Sequence, residues 1–249
     1  MKRNLFVLFF SCSLLNLHAQ KLDQLIKKGE SVLNASSQNA NNKKGSNLSN
    51  TDIINGLREA LQVGARNASG KLNQANGYFG NALIKILLPP EVKQIESTLR
   101  SFGFSSLCDK LILSMNRAAE DAAGKALPIF VQSITSMTIT DGLDILRGGN
   151  HAATEYLKQH TTAALTTTFR PVIQASLNKV NASTYWNEVF RTYNKLPITK
   201  HKVNTDLTGY VTERALNGLF TTVADEEEKI RLNPAAQVSS LLQKVFGSR

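Results

Sequence analysis

The sequence predicts an all-α protein: a single compact bundle of about eight or nine helices, preceded by a signal peptide and a flexible tether. Three observations carry that expectation. From Thr51 onward apolar residues recur at helical spacing, as in Ile53, Ile54, Leu57, Leu61, Ala65, Ala68 and Leu72. Caps and breakers punctuate the pattern at helix-length intervals: Pro89-Pro90, Gly103, Thr140-Asp141, Gly148-Gly149-Asn150, Asp206 and Asn233-Pro234. Strict two-residue alternation, the mark of a half-buried strand, is missing.

Residues 1–19 read as an export leader. Lys2 and Arg3 form a positive start, Leu5 to Leu17 an apolar centre, and Leu17-His18-Ala19 places a small residue before Gln20. The apolar stretch falls short of the roughly 20 residues of a spanning helix, so no transmembrane segment is expected in the mature chain. Lipid attachment at Cys12 is disfavoured, because apolar sequence continues through Leu14 and Leu15. The expected location is therefore the periplasm. Residues 20–34 form a short amphipathic segment, with Leu22, Leu25, Ile26, Val32 and Leu33 among Lys21, Lys27 and Lys28; it docks on its own domain or on a membrane surface. Residues 35–50, rich in Ser, Asn, Gln, Gly and Lys, lack the apolar surface that would repay ordering and read as a disordered linker.

The helical domain is expected over 51–249. After the first helix, 73–80 reads as a loop, and an apolar segment, 83–88, stops at Pro89-Pro90. A helix over 91–102 follows, then one over 105–137 that breaks or kinks near Pro128, since proline cannot donate the interior bond. Thr140 and Asp141 open a short helix closed by Gly148-Gly149. Asn150 caps a long helix to Val180, bent near Pro171. Thr184 to Asn194 carries Trp186 and Phe190 on one face. Asp206 caps another long helix, and a last one reaches Phe246. Once the leader is cut, Cys108 is the sole cysteine; it shares a face with Leu107, Leu111, Ile112 and Met115, where it reads as a buried, inert core residue.

The formal charge of +10 is scattered along the chain, which suits solubility and a general attraction to anionic surfaces. No nucleic-acid motif is present. Gly70-Lys71 lacks the spacing, hydroxyl and preceding strand of a phosphate loop. Ser176-Leu177-Asn178-Lys179 matches a Ser-x-x-Lys pattern without its partner motifs. His151 and Glu155 share a helix side but find no further ligands, so a solvated face is expected there. No catalytic residue, metal site or cofactor is expected.

Four residues stand out as binding candidates: Arg117, Glu120, Arg214 and Glu226. Arg117 and Glu120 lie with Asn116 and Asp121 among Ala118, Ala119, Ala122 and Ala123, small residues that let another helix approach and enclose the polar groups. At four-residue spacing Arg117 pairs with Asp121 and Asn116 with Glu120; farther along, Asp225 pairs with Lys229 and Glu227 with Arg231. Glu226 falls beside the apolar stripe of Leu219 and Val223, with Ile230 at its i+4 position. A buried carboxylate needs a partner. Arg117 is the first choice and Arg214 the second, with Lys229 at i+3 as a local competitor.

Several separated segments resemble one family. Asn116-Arg117-Ala118-Ala119-Glu120, Pro128-Ile129-Phe130-Val131, Tyr185-Trp186-Asn187-Glu188, Tyr210-Val211-Thr212, Ala215-Leu216-Asn217-Gly218-Leu219-Phe220, Asn233-Pro234-Ala235-Ala236 and Leu241-Leu242-Gln243-Lys244-Val245-Phe246-Gly247 look like the bacterial domain-of-unknown-function (DUF) family 4197. The likeness spans about 53–247. It implies an exported protein and supplies no activity or catalytic residue. The leading functional expectation is a non-enzymatic binding or scaffold module of the cell envelope, with an envelope protein, a lipid or an anionic surface as partner. Two alternatives stay open: a carrier of a lipid or other apolar ligand between helices, and a hydrolase using Glu120 or Glu226 as base.

Overall fold

The computed structural model describes residues 49–194 and 205–232. The leader, the 20–34 segment, most of the linker and the last expected helix lie outside the described residues. Among those described there are eight α-helices and no strand, as the periodicity predicts. They are α1 (Asn50–Leu72), α2 (Lys93–Ser101), α3 (Ser105–Ala123), α4 (Ala126–Ser136), α5 (Ile139–Arg147), α6 (Ala152–Lys179), α7 (Ala182–Asn194) and α8 (Leu207–Leu232). A 3-10 turn, Pro90–Val92, leads into α2.

The long helix α6 packs against α8, α3 and α4, while α1 lies against α8, α4 and α5. The core between them is aliphatic and alanine-rich: Leu57, Ala65, Ala119, Leu165, Ile173, Val211 and Leu219 are all buried. Phe130 of α4 meets Phe220 of α8 edge to face at 6.0 Å, a favoured ring geometry. Helices α2 and α7 are peripheral; α2 rests on α3, and α7 on α6 and α8.

Three local readings need correction. The break expected near Pro128 falls earlier, at Gly124-Lys125, and Pro128 sits in the first turn of α4. A first-turn proline is tolerated because its missing N–H would have no intrahelical partner. Thr138, not Thr140, caps α5: its side chain accepts from Asp141 N while Asp141 accepts from Thr138 N, a complete capping box. Helix α6 starts after His151, not Asn150, and His151 supplies no side-chain cap. A carboxylate from α8 does that job instead. Glu227 accepts from Ala153 N at 3.1 Å and from Thr154 N at 2.8 Å, and pairs with Arg231, which also donates to Ile145 O in the last turn of α5. The expected Glu227–Arg231 pair is therefore present and buried. Asp206 caps α8 as expected, accepting from Gly209 N at 2.9 Å.

Candidate binding site around a clamped loop

Between α1 and the 3-10 turn the chain runs outside any α-helix, and it is held by buried side chains of α3 and by α8 through half-buried Tyr210 and the Ala215 carbonyl. Buried peptide groups without partners cost about 1–3 kcal/mol each, and this segment has no neighbouring strand. Asn116, fully buried, acts as one: its Oδ1 accepts from Ile86 N at 2.9 Å, and its Nδ2 donates to Ile86 O at 2.8 Å. Four residues along α3, Glu120 Oε1 accepts from Tyr78 N and Phe79 N at 3.1 and 3.2 Å. Its Oε2 takes Arg117 at 2.5 Å, and the same guanidinium donates to Asn76 Oδ1 at 2.9 Å. Asn76 has φ of 69°, the left-handed region that asparagine tolerates better than most residues.

Two tyrosines complete the clamp. Tyr78 is fully buried and donates to Ala215 O in α8 at 2.7 Å. Burial, and then the Glu120 charge, push its hydroxyl above the ordinary phenol range, so it stays a neutral donor. Tyr210 OH donates to Leu87 O at 2.9 Å. Tyr78 is also why Gly218 must be small: a Cβ there would stand 2.6 Å from Tyr78 Cε1. Held this way, the segment turns Ile84 and Ile86 inward and leaves Leu83 and Leu87 outside, 85% and 55% exposed.

A groove opens on each side of the loop, and Leu88 lines both. The first, about 760 Å³ and open to solvent, lies between α2, α3 and α7. Val92, Leu99, Leu111, Trp186 and Phe190 make an apolar floor, with the Trp186 and Phe190 rings 4.4 Å apart. Leu107, Val180 and Tyr185 form an exposed apolar rim, and Phe102 and Phe104 stand out from the nearby α2–α3 turn. Of the two charged residues among the described lining, Glu96 is tied to Arg100 at 2.8 Å, whereas Lys110 forms no ion pair among the described residues. Cys108 also lines this groove, and burial pushes its thiol up, away from the reactive thiolate. The second groove, about 710 Å³, lies between the loop and α8; its lining includes Leu83, Lys85, Leu87, Tyr210 and Arg214.

The family model for proteins of unknown function DUF4197 matches residues 47–247. The chain belongs to the DUF4197 family. No curated protein and no solved structure matches it. Segments that carried the resemblance meet around the loop of this DUF4197 protein: Asn116 to Glu120 and Tyr210 clamp it, Ala215 to Gly218 seat Tyr78, and Tyr185-Trp186 wall the apolar groove.

Three of the four candidates thus gather at the loop. Arg117 and Glu120 hold it, and Arg214 stands on the second groove with its guanidinium 5.4 Å from the Tyr210 ring. Glu226 lies elsewhere. It is buried, as its stripe position predicts, but the Arg117–Glu226 pair does not form. Glu226 instead accepts from the local competitor Lys229 at 2.6 Å and from Asn67 of α1 at 3.1 Å. The i+3 lysine suffices because it reaches the carboxylate from the solvent side, so no inter-helix cation is needed. The other two α3 pairs are also corrected: Asp121 accepts from Ser176 at 2.6 Å instead of pairing with Arg117, and Asn116 turns to Ile86 and not to Glu120. Lys229, taken by Glu226, makes no pair with Asp225. Sequence reasoning missed Tyr78, the bond from Tyr210 to the loop and the capping role of Glu227. The non-helical stretch between α1 and Pro89-Pro90 was the available signal for the loop contacts, since its peptide groups had to find partners.

Proposed function

We propose that this protein is an exported, non-enzymatic binding module of the bacterial envelope whose groove between α2, α3 and α7 takes an apolar chain of the acyl type. The observation that carries the reading is the open apolar floor of Leu99, Leu111, Trp186 and Phe190, with large apolar residues left exposed around its mouth. Ligand pockets are concave, mostly apolar and edged by few polar groups; here Lys110 and the Glu96–Arg100 pair are at that edge. Export rests on the leader pattern of residues 1–19. The hydrolase reading loses support because Glu120 and Glu226 each have both carboxylate oxygens engaged within the fold, which leaves neither free to take a proton from water.

The test is titration of the purified protein with a fluorescent polyene fatty acid. Saturable binding that unlabelled fatty acid displaces is expected. Ser114→Phe, which places a ring in the groove at a half-buried position, should abolish it with the melting temperature retained. Absent binding, or binding indifferent to Ser114→Phe, overturns the reading.

A further inference from the structure

We propose that the loop segment 83–88, with Lys85 and Arg214, is a docking surface for an anionic lipid bilayer. Leu83 and Leu87 project beside two cations, and neither cation forms an ion pair among the described residues. Lys85 lies 3.9 Å from the centre of the Phe79 ring and Arg214 over Tyr210, so both ammonium and guanidinium are placed by aromatic faces and not by a carboxylate in contact. Among the described residues that line their groove there is no carboxylate. Glu91 and Glu213 are exposed acids outside that lining whose field reaches Tyr210.

Exposed leucines on a mobile loop are unremarkable; here the backbone beneath them is fixed. Ile86 is held at both N and O by Asn116, Leu87 O by Tyr210, and Ile84 and Ile86 are anchored in the core. Leu83 and Leu87 are thus presented at little further ordering cost, which favours insertion into an interface. Apolar insertion and cationic attraction to anionic headgroups are additive contributions to peripheral binding. An acidic protein partner would use the cations but would not need the protruding leucines, and a neutral membrane would not need the cations. The combination selects an anionic bilayer. Because Leu88 lines both grooves, docking on this face would bring the apolar groove near the lipid; the docking proposal itself stands without the acyl-chain reading.

Flotation of the purified full chain with vesicles tests it, comparing phosphatidylcholine alone with phosphatidylcholine containing phosphatidylglycerol. Binding to the anionic vesicles is expected, weakening as salt rises. Leu83→Asn/Leu87→Asn and Lys85→Gln/Arg214→Gln should each lower partitioning about tenfold, while the melting temperature and fatty-acid titration stay at the wild-type value. Equal binding to neutral vesicles, or double variants that float as the wild type does, overturns the proposal. A Lys158→Gln/Arg66→Gln control, removing two exposed cations outside both grooves, should leave partitioning within about twofold; a loss equal to that of Lys85→Gln/Arg214→Gln would also overturn it, because it would show general charge at work.

Discussion

The two halves of α3 obey different packing rules. Its C-terminal half, Met115 to Ala123, is alanine-rich and almost wholly buried, and α6 and α8 close onto it. Its N-terminal half turns Ile112 into the core, yet its large side chains Leu107 and Leu111 face an open groove. Apolar content therefore does not decide where the core lies. Small residues let helix backbones approach, and the polar groups enclosed by that approach must then be satisfied in full; large residues without an opposing helix make a floor. The first half specifies structure, and the second leaves surface for a ligand.

Glu120→Ala gives the sharpest test of the closed half. It leaves Tyr78 N and Phe79 N without their acceptor, while Arg117 keeps Asn76 and its solvent contact, so a loss of about 2–4 kcal/mol in urea unfolding is expected. A loss below about 1 kcal/mol would break the comparison. Gly218→Ala follows, since the added methyl meets Tyr78 Cε1 at 2.6 Å and Ile84 Cβ at 3.2 Å. Overpacking of this kind costs about 1–3 kcal/mol, and amide exchange at Tyr78 and Phe79 should accelerate with it. In the open half, Leu107→Ala should change stability by no more than about 0.5 kcal/mol while weakening fatty-acid binding; equal damage to folding would mean that this half belongs to the core.

The smallest effect is one of pH. Burial acts to raise the Asp206 carboxyl, but its bonds from Arg170 and Gly209 N outweigh this and hold it below the ordinary aspartate range. Its contribution is then fully present above the unfolded value of about 3.9 and disappears as pH falls through the folded value. Arg170→Gln should therefore lower the melting temperature slightly at neutral pH and not at about pH 2. An equal loss at both would assign Arg170 to packing, not to the ion pair.

Fold class was legible because helical periodicity is local. Helix ends were read to within a few residues, and the two misplaced caps share one cause: Thr138 and Glu227 win over Thr140 and Asn150 through contacts that only the folded backbone decides. At the loop, the alanines around Arg117 and Glu120 announced an enclosed polar cluster. Its partners were invisible, because they are peptide groups of 76–87, and backbone leaves no mark in composition. Glu226 shows the converse. Its burial followed from the stripe of Leu219 and Val223, but the choice between a distant arginine and a lysine three residues away depends on side-chain reach.

The bond from Glu227 to the start of α6 also orders events in time. The first turn of that helix begins at 152, and the carboxylate that satisfies its N–H groups enters the chain more than seventy positions later. During synthesis, which runs from the N-terminus, α6 must wait with an uncapped end until nearly all of α8 has emerged. Arg231 makes the same late visit to the end of α5. The junction between the two helices is thus fastened by a segment that appears more than seventy positions after it, and a nascent chain stalled before residue 227 would hold a frayed α6 however well its core had begun to collapse.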